Sequence, residues 1–474
     1  MYRSEELPEL TWLTLVSIFL TIYLTSQAIY NLYFHPLSHC PGPFLAKISK
    51  LPNFYHAIKG DRHIWIWQNH QVYGDKFRVH PNQVLFLSPQ AFRDIYGSKA
   101  NVRRAKSYEG WNITTEGSTI TTIDPHEHAR KRKILSQAFT EKTVKHAAGF
   151  VIDHVERWID LLVDAKDVGE DGWSKAKNMS DWNDWLVFDI LGDLLLGRSF
   201  GLKEPGENPI RKVPHMMMKH VQMFYPVGIS SFSPRIPPES QLTPKQIIQS
   251  PFVTFFIWAK PHGLDALLAL VTPLEITAYF TFINDSVAQK IAQHKNRKQD
   301  DSSPKAMFDH LCAARDPSTG QPYTEDALRG EALMLIPAGS DTTSNTLSAF
   351  WFYLTSNPAA YTRLKSEIRT TFSSSSSDIV PGPRLSSCTY LHACIDETMR
   401  LDPAGPSEPP REILPGGATI DGEFYPAGTV VGCANWAMGR NERVFGDPGR
   451  FRPEREECGD DGVGACDCED GVSG

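Results

Sequence analysis

The chain has 474 residues, with 48 Lys and Arg against 55 Asp and Glu, and 41 % of it is hydrophobic. That length exceeds a typical domain of about 100–200 residues, so it predicts either several domains or one large enzyme fold. The composition excludes a disordered or fibrous chain, the slightly acidic balance argues against nucleic acid as a partner, and eight cysteines are too sparse for a disulfide scaffold.

Leu10 to Phe34 contains no Asp, Glu, Lys, Arg or His. About 20 such residues span a bilayer as a helix, and Trp12, Tyr30 and Tyr33 suit its two interfaces. A cleaved signal peptide is the competing reading. Glu5, Glu6 and Glu9 before the stretch and the lack of a small-x-small cleavage site count against it. Only Arg3 precedes the span, whereas Lys47, Lys50 and Lys59 follow it, which predicts a cytoplasmic body. The sequons at Asn112 and Asn178 would then be unused. Pro36, Pro41 and Pro43 predict a stiff extended connector.

The body reads as mainly α with small β-sheets. Residues 75–87 form a hairpin pattern broken at Pro81-Asn82. Asp124-Pro125-His126-Glu127 has the pattern of a helix start, with Asp as N-cap and Pro at the first position. Trp182 to Leu196 is apolar almost all round and predicts a buried helix. Residues 201–262 are rich in Pro and Met, read as adaptable core filling or, as the lesser alternative, a pliable pocket wall or membrane-facing loop. The Ser373–Ser377 run reads as a loop, and after Pro409 short strands alternate with glycine turns.

Thr324 to Thr355 predicts one long helix closed by Asn357-Pro358. In its middle, Pro337-Ala338-Gly339-Ser340-Asp341-Thr342-Thr343 is locally unfavourable for a helix. It is either a simple kink or a groove where a ligand meets the backbone beside a carboxylate and a hydroxyl able to relay protons. Glu397 and Arg400 fall three apart on one helix face among apolar residues, and Phe451-Arg452-Pro453-Glu454-Arg455 follows.

In this order, the anchor and its hinge, Ala338-Gly339-x-Asp341-Thr342-Thr343, Glu397-x-x-Arg400 and Pro453-Glu454-Arg455 resemble a membrane-anchored cytochrome P-450. That family comprises haem-thiolate monooxygenases, and the likeness is to the fungal microsomal kind. The resemblance implies the cytochrome P-450 fold behind a single transmembrane helix, and it implies haem as cofactor. Asp341 and Thr342 would deliver protons and promote O–O cleavage. Ala338 and Gly339 would border the haem, with Gly339 leaving room for oxygen. His128 and Arg132, four apart, and Arg411 would hold the propionates. Glu397, Arg400 and Arg455 would form a structural triad. An NADPH-dependent cytochrome reductase and a lipophilic small-molecule substrate are the implied partners, with the endoplasmic reticulum membrane as location. Residues 101–123 and 201–262 would contact substrate. Without the resemblance, residues 128–133 are a solvated basic face, expected to hold for Lys131 and Lys133. Such a patch would also suit an acidic reductase.

The family's Phe-x-x-Gly-x-Arg-x-Cys-x-Gly ligand motif has no counterpart after Arg455, so the fold is expected to lack its usual C-terminal end. Neighbouring acids oppose thiolate formation at Cys466. Cys458, Cys466 and Cys468 fall short of a zinc set, so no metal-ligating residue is assigned. Two readings follow: a monooxygenase whose recorded end is shifted by a gene-model error, or a non-catalytic remnant that at most binds a hydrophobic ligand or the reductase. The expected organisation is a lumenal 1–9, an anchor 10–34, a Pro-rich hinge 35–44, a catalytic domain 45–455 and a disordered acidic tail 456–474. That tail holds seven acids and no bases, so residues 1–455 carry 48 charges of each sign.

Overall fold

A computed structural model describes residues 7–111, 114, 116–163, 168–169, 172–217, 274–296, 306–372 and 379–458. The Pro-rich stretch beyond Met217, the Ser373–Ser377 run and the acidic tail beyond residue 458 lie outside the described residues. The rest divides into two compact units, 1–105 with 407–438 and 106–406 with 439–474.

The first unit opens with α1 (Leu7–Ile29), which continues as a π-helical turn over Tyr30–Phe34. Its apolar side chains point outward: Trp12, Phe19 and Tyr33 are each at least 70 % exposed. Among the described residues this is the one helix long and apolar enough to cross a membrane. The prolines after it do not extend the chain. Ser38 N donates to His35 O and Cys40 N to Leu37 O, making turns that bury Leu37 and Cys40. The extended connector is therefore corrected to a folded one, because burying two apolar side chains outweighs the extended preference of the residues before proline.

Helices α2 (Phe44–Ile48), α3 (Leu51–Lys59), α4 (Arg62–Tyr73) and α5 (Pro89–Tyr96) belong to this unit. So do β1 (Lys76–His80), β2 (Gln83–Phe86), β3 (Val102–Arg104), β4 (Arg411–Ile413), β5 (Ala418–Ile420), β6 (Glu423–Tyr425) and β7 (Val430–Cys433). The expected hairpin is β1–β2, antiparallel around Pro81-Asn82. It joins a five-stranded sheet of order β1-β2-β7-β4-β3 in which β2 and β7 run parallel, while β5 and β6 pair separately. Val84, Phe86, Ile413, Val431 and Cys433 form part of its core. A buried ion pair lies beside it. Arg62 donates from Nη1 and Nη2 to Glu408 at 2.6 and 2.7 Å, and Gln83 Nε2 adds a third bond to that carboxylate at 2.7 Å.

The second unit is helical: α6 (Pro125–Ser136), α7 (Glu141–Leu162), α8 (Met179–Leu191), α9 (Leu274–Asn296), α10 (Met307–Ala313), α11 (Glu325–Ser356), α12 (Pro358–Thr371) and α13 (Thr389–Leu401). Asp124 caps α6 as its sequence predicts, accepting from Glu127 N at 2.8 Å. Thr324 caps α11 in the same way by accepting from Ala327 N. Thirty-two residues make α11 about 48 Å long at ~1.5 Å per residue. Leu328, Ala332, Leu333 and Ile336 on α11 pack with Phe188 of α8, with Tyr279 and Ile283 of α9 and with Phe308 of α10. Met216 and Met217 pack against the same core, in line with their reading as filling. A second cluster joins Leu354, Leu364, Cys394, Leu401 and Phe451.

Candidate active site

The irregular heptapeptide of α11 stays helical despite Pro337. Hydroxyls bond back to the carbonyl four residues earlier: Ser340 Oγ to Ile336 O at 2.8 Å, Thr342 Oγ1 to Ala338 O at 2.9 Å and Thr346 Oγ1 to Thr342 O at 2.9 Å. Thr342 is exposed and Asp341 half-buried. Burial, reinforced by the charge of Asp184 on α8, pushes the Asp341 carboxyl up to about 6. Gly339 has its own packing reason to be small, since a Cβ there would come within 2.9 Å of Leu191 Cδ1 on α8.

Asp184 was not singled out by the sequence. Ser344 Oγ donates to Asp184 Oδ1 at 2.6 Å, and Asn183 Nδ2 donates to Ser348 Oγ at 3.0 Å, so α8 and α11 share a polar seam inside an apolar interface. The signal available was two polar residues interrupting Trp182 and Trp185 in an otherwise apolar helix.

The spacing of Glu397 and Arg400 is used as a forked ion pair on α13. Arg400 donates from Nε to Glu397 Oε2 at 2.6 Å and from Nη2 to Oε1 at 2.8 Å. Arg455 Nε reaches the same Oε1 at 3.3 Å, and the backbone N of Arg452 donates to it at 2.8 Å. Arg400 Nη1 donates to both Gly439 O and Pro448 O, and Arg455 donates from Nη1 to Phe445 O and from Nη2 to Asp447 O. All three side chains are thus brought together around one buried carboxylate.

His128 is half-buried and Arg132 exposed, one turn apart on α6. Arg411 lies in β4 of the other unit, its guanidinium 5.4 Å from the Tyr96 ring centroid and bonded from Nη1 to Pro410 O at 3.3 Å. The solvated reading of the basic run fails at Lys131. That side chain is 2 % exposed and donates to Glu116 O at 2.5 Å and Gly117 O at 3.3 Å. Two backbone carbonyls replace the water that the amine loses, so burial is tolerated. Arg130 is committed to Glu127 at 2.6 Å and lies 3.5 Å from Asp316. The exposed basic groups of the run are therefore Arg132 and Lys133.

Glu331, near the start of α11, also escaped sequence reasoning. Buried Glu331 Oε1 accepts from Thr119 N at 2.7 Å and from Thr119 Oγ1 at 2.5 Å. Asp326 accepts from Glu116 N at 2.9 Å, and a Cβ at Gly330 would fall 2.7 Å from Gly117 O. The 116–119 segment is thereby clasped between α6 and α11.

The family description Cytochrome P450 matches residues 268–456. The cytochrome P450 monooxygenase AKT7 of Alternaria alternata is 32 % identical over 442 residues, 93 % of this chain and 78 % of that protein. The monooxygenase fscF of Fusarium equiseti is 32 % identical over 475 residues, covering 98 % and 83 %. The monooxygenase poxM of Penicillium oxalicum is 32 % identical, covering 93 % and 80 %. The chain belongs to the cytochrome P450 family. It is accordingly an oxidoreductase of the haem-dependent monooxygenase class, mainly helical with small sheets, as its motifs imply.

Five described cysteines of this P450 are poorly placed to provide the thiolate that the family's haem requires. Cys40, Cys312, Cys388, Cys394 and Cys433 are all buried and unpaired in disulfides. Burial pushes the thiols of Cys394 and Cys433 up to about 12 and that of Cys312 up to about 11, opposite to what a thiolate ligand needs. Among the described residues no group of three or more His, Cys, Asp or Glu is placed to hold a metal ion. The side chain of Cys458, and Cys466 and Cys468 altogether, lie outside what is described.

Proposed function

We propose that this P450 inserts one oxygen atom from O2 into a lipophilic small molecule, an intermediate of fungal secondary metabolism, while anchored by α1 in the endoplasmic reticulum membrane with its body in the cytoplasm. An NADPH-dependent reductase supplies the electrons. Haem, when bound, supplies the oxygen chemistry, and the chain's own residues handle protons, charge and support. The observation that carries this reading is the step from Asp341 to Thr342 on α11: a carboxyl held near neutrality beside an exposed hydroxyl. In this reading Asp341 stores a proton, Thr342 passes it on, and Ala338 and Gly339 keep the helix surface low. His128, Arg132 and Arg411 offer donors to the propionates. Glu397, Arg400 and Arg455 hold the 439–455 segment on α13. The fungal origin of the relatives supports the substrate class, and their coverage of 93–98 % of the chain weighs against a non-catalytic remnant.

Thr342→Ala tests the proton role. Reconstituted with reductase, the variant is expected to consume NADPH while forming much less product per NADPH. An unchanged ratio removes Thr342 from the proton path.

A further inference from the structure

The register of α8 on α11 is fixed at three points. Asn183 meets Ser348, Asp184 meets Ser344, and Leu191 meets Gly339, so the two helices run antiparallel. On α11, positions 341, 344 and 348 recur at i, i+3 and i+7 and share one face. Ser344 and Ser348 both bond α8 from that face, which turns Asp341 toward α8 as well. Ser344 is the hinge of the arrangement. Its hydroxyl is buried, donates to Asp184 Oδ1 at 2.6 Å and lies 3.3 Å from the backbone carbonyl of Asp341. A second bridge stands one turn further on, where Ser348 Oγ donates to Ser344 O at 2.8 Å while accepting from Asn183.

Two half-buried carboxyl groups therefore face one helix interface. The groups bearing on Asp184 are Asp181 on its own helix, His215 and the Ser344 hydroxyl, and the charged group bearing on Asp341 is Asp184. Two like charges in a partly desolvated seam repel, so ionising both costs more than ionising one. Burial raises the Asp184 carboxyl as well, but the Ser344 hydroxyl breaks the symmetry, because a donor at 2.6 Å opposes that rise by favouring the ionised form of the carboxylate it touches.

We propose that Asp184 is a positioning residue for the proton chemistry of this P450. It keeps its own charge through Ser344 and, by repulsion across the α8–α11 seam, keeps the proton on Asp341. The proposal rests on the reading of Asp341 as a proton store and identifies what fills that store. Asp184 touches neither substrate nor cofactor and acts through Asp341 alone. Burial and repulsion push the Asp341 carboxyl in the same direction, with burial the larger, so removing the charge of Asp184 lowers the midpoint without returning it to that of an exposed carboxylate.

Isotope-edited infrared titration of the full chain in vesicles, with 13C-labelled aspartate, tests this without turnover. The band lost in Asp341→Asn identifies the Asp341 carboxyl, whose midpoint is expected near 6. Asp184→Asn, which can still accept from Ser344, is expected to shift that midpoint downward, while Asp184→Glu leaves it raised. An unshifted midpoint in Asp184→Asn overturns the proposal, as does a Glu variant that behaves like the Asn one. A Thr342→Ala protein with unchanged coupling would remove the relay and leave this titration as it is, so the two failures are separable.

Discussion

Glu397 Oε1 accepts from Arg455 Nε at 3.3 Å across 58 residues of chain, while the same carboxylate is forked by Arg400. A buried carboxylate shared by two guanidiniums is costly to desolvate, and the arrangement holds because each Arg also donates to backbone carbonyls of the 439–448 segment. Removing the carboxylate leaves two half-buried cations facing each other. Glu397→Ala is expected to lose about 3–5 kcal/mol in chemical denaturation, with Glu397→Gln losing less. Equal stability of the Ala variant and the wild type would show that the three side chains do not act as one network.

The Arg62–Glu408 pair offers a cleaner energetic test, since the two side chains are only 2 % and 1 % exposed. Either single replacement by Met is expected to cost about 3–5 kcal/mol by stranding one charge, while the double replacement recovers part of that loss. A double-mutant cycle read by urea denaturation checks it, and strictly additive losses would contradict it.

Asp341 should leave a mark on the pH dependence of stability. Its carboxyl titrates near 3.8 when exposed and about 6 in the fold, so the folded state binds the proton more tightly. Stability then falls as pH rises from about 4 to about 6, and the charged form remains unfavourable at pH 7. Asp341→Asn removes this loss. Thermal melts should show the variant stabilised at pH 7, by about 1–3 kcal/mol, and flatter between pH 4 and 6. A destabilised variant at pH 7 would contradict the desolvated environment.

Lys131 anchors the 116–117 backbone to α6, and Glu331 anchors Thr119 to α11. Lys131→Met keeps the aliphatic stem but loses the donors. Hydrogen exchange is expected to accelerate at the amides of 116–122 and to stay unchanged in α13. No change in that segment would mean that Glu331 and Asp326 hold it alone.

Local signals and distant partners account for what could be read from the chain. The hairpin at Pro81-Asn82, the caps at Asp124 and Thr324 and the long helix ending at Asn357-Pro358 depend on neighbours within a few residues, and all are present. The closeness of Glu397 and Arg400 was visible for the same reason. Lys131 was misread because the run from His128 to Lys133 looks solvated in isolation, and the carbonyls that accept its proton donors come from a loop 14 and 15 residues away. Glu408 finds Arg62 across 346 residues, and Asp184 finds Ser344 across 160, separations at which no periodicity carries information. The hinge prolines predicted extension because composition cannot show that Leu37 and Cys40 have a core to enter.

The most direct test of haem-dependent monooxygenation by this chain is the reduced, CO-bound absorption spectrum of the full 474-residue protein expressed with haem supply. Haem-dependent monooxygenation by this chain predicts the Soret band of a thiolate-ligated haem. Absence of haem uptake by the wild-type chain would contradict catalysis by this polypeptide.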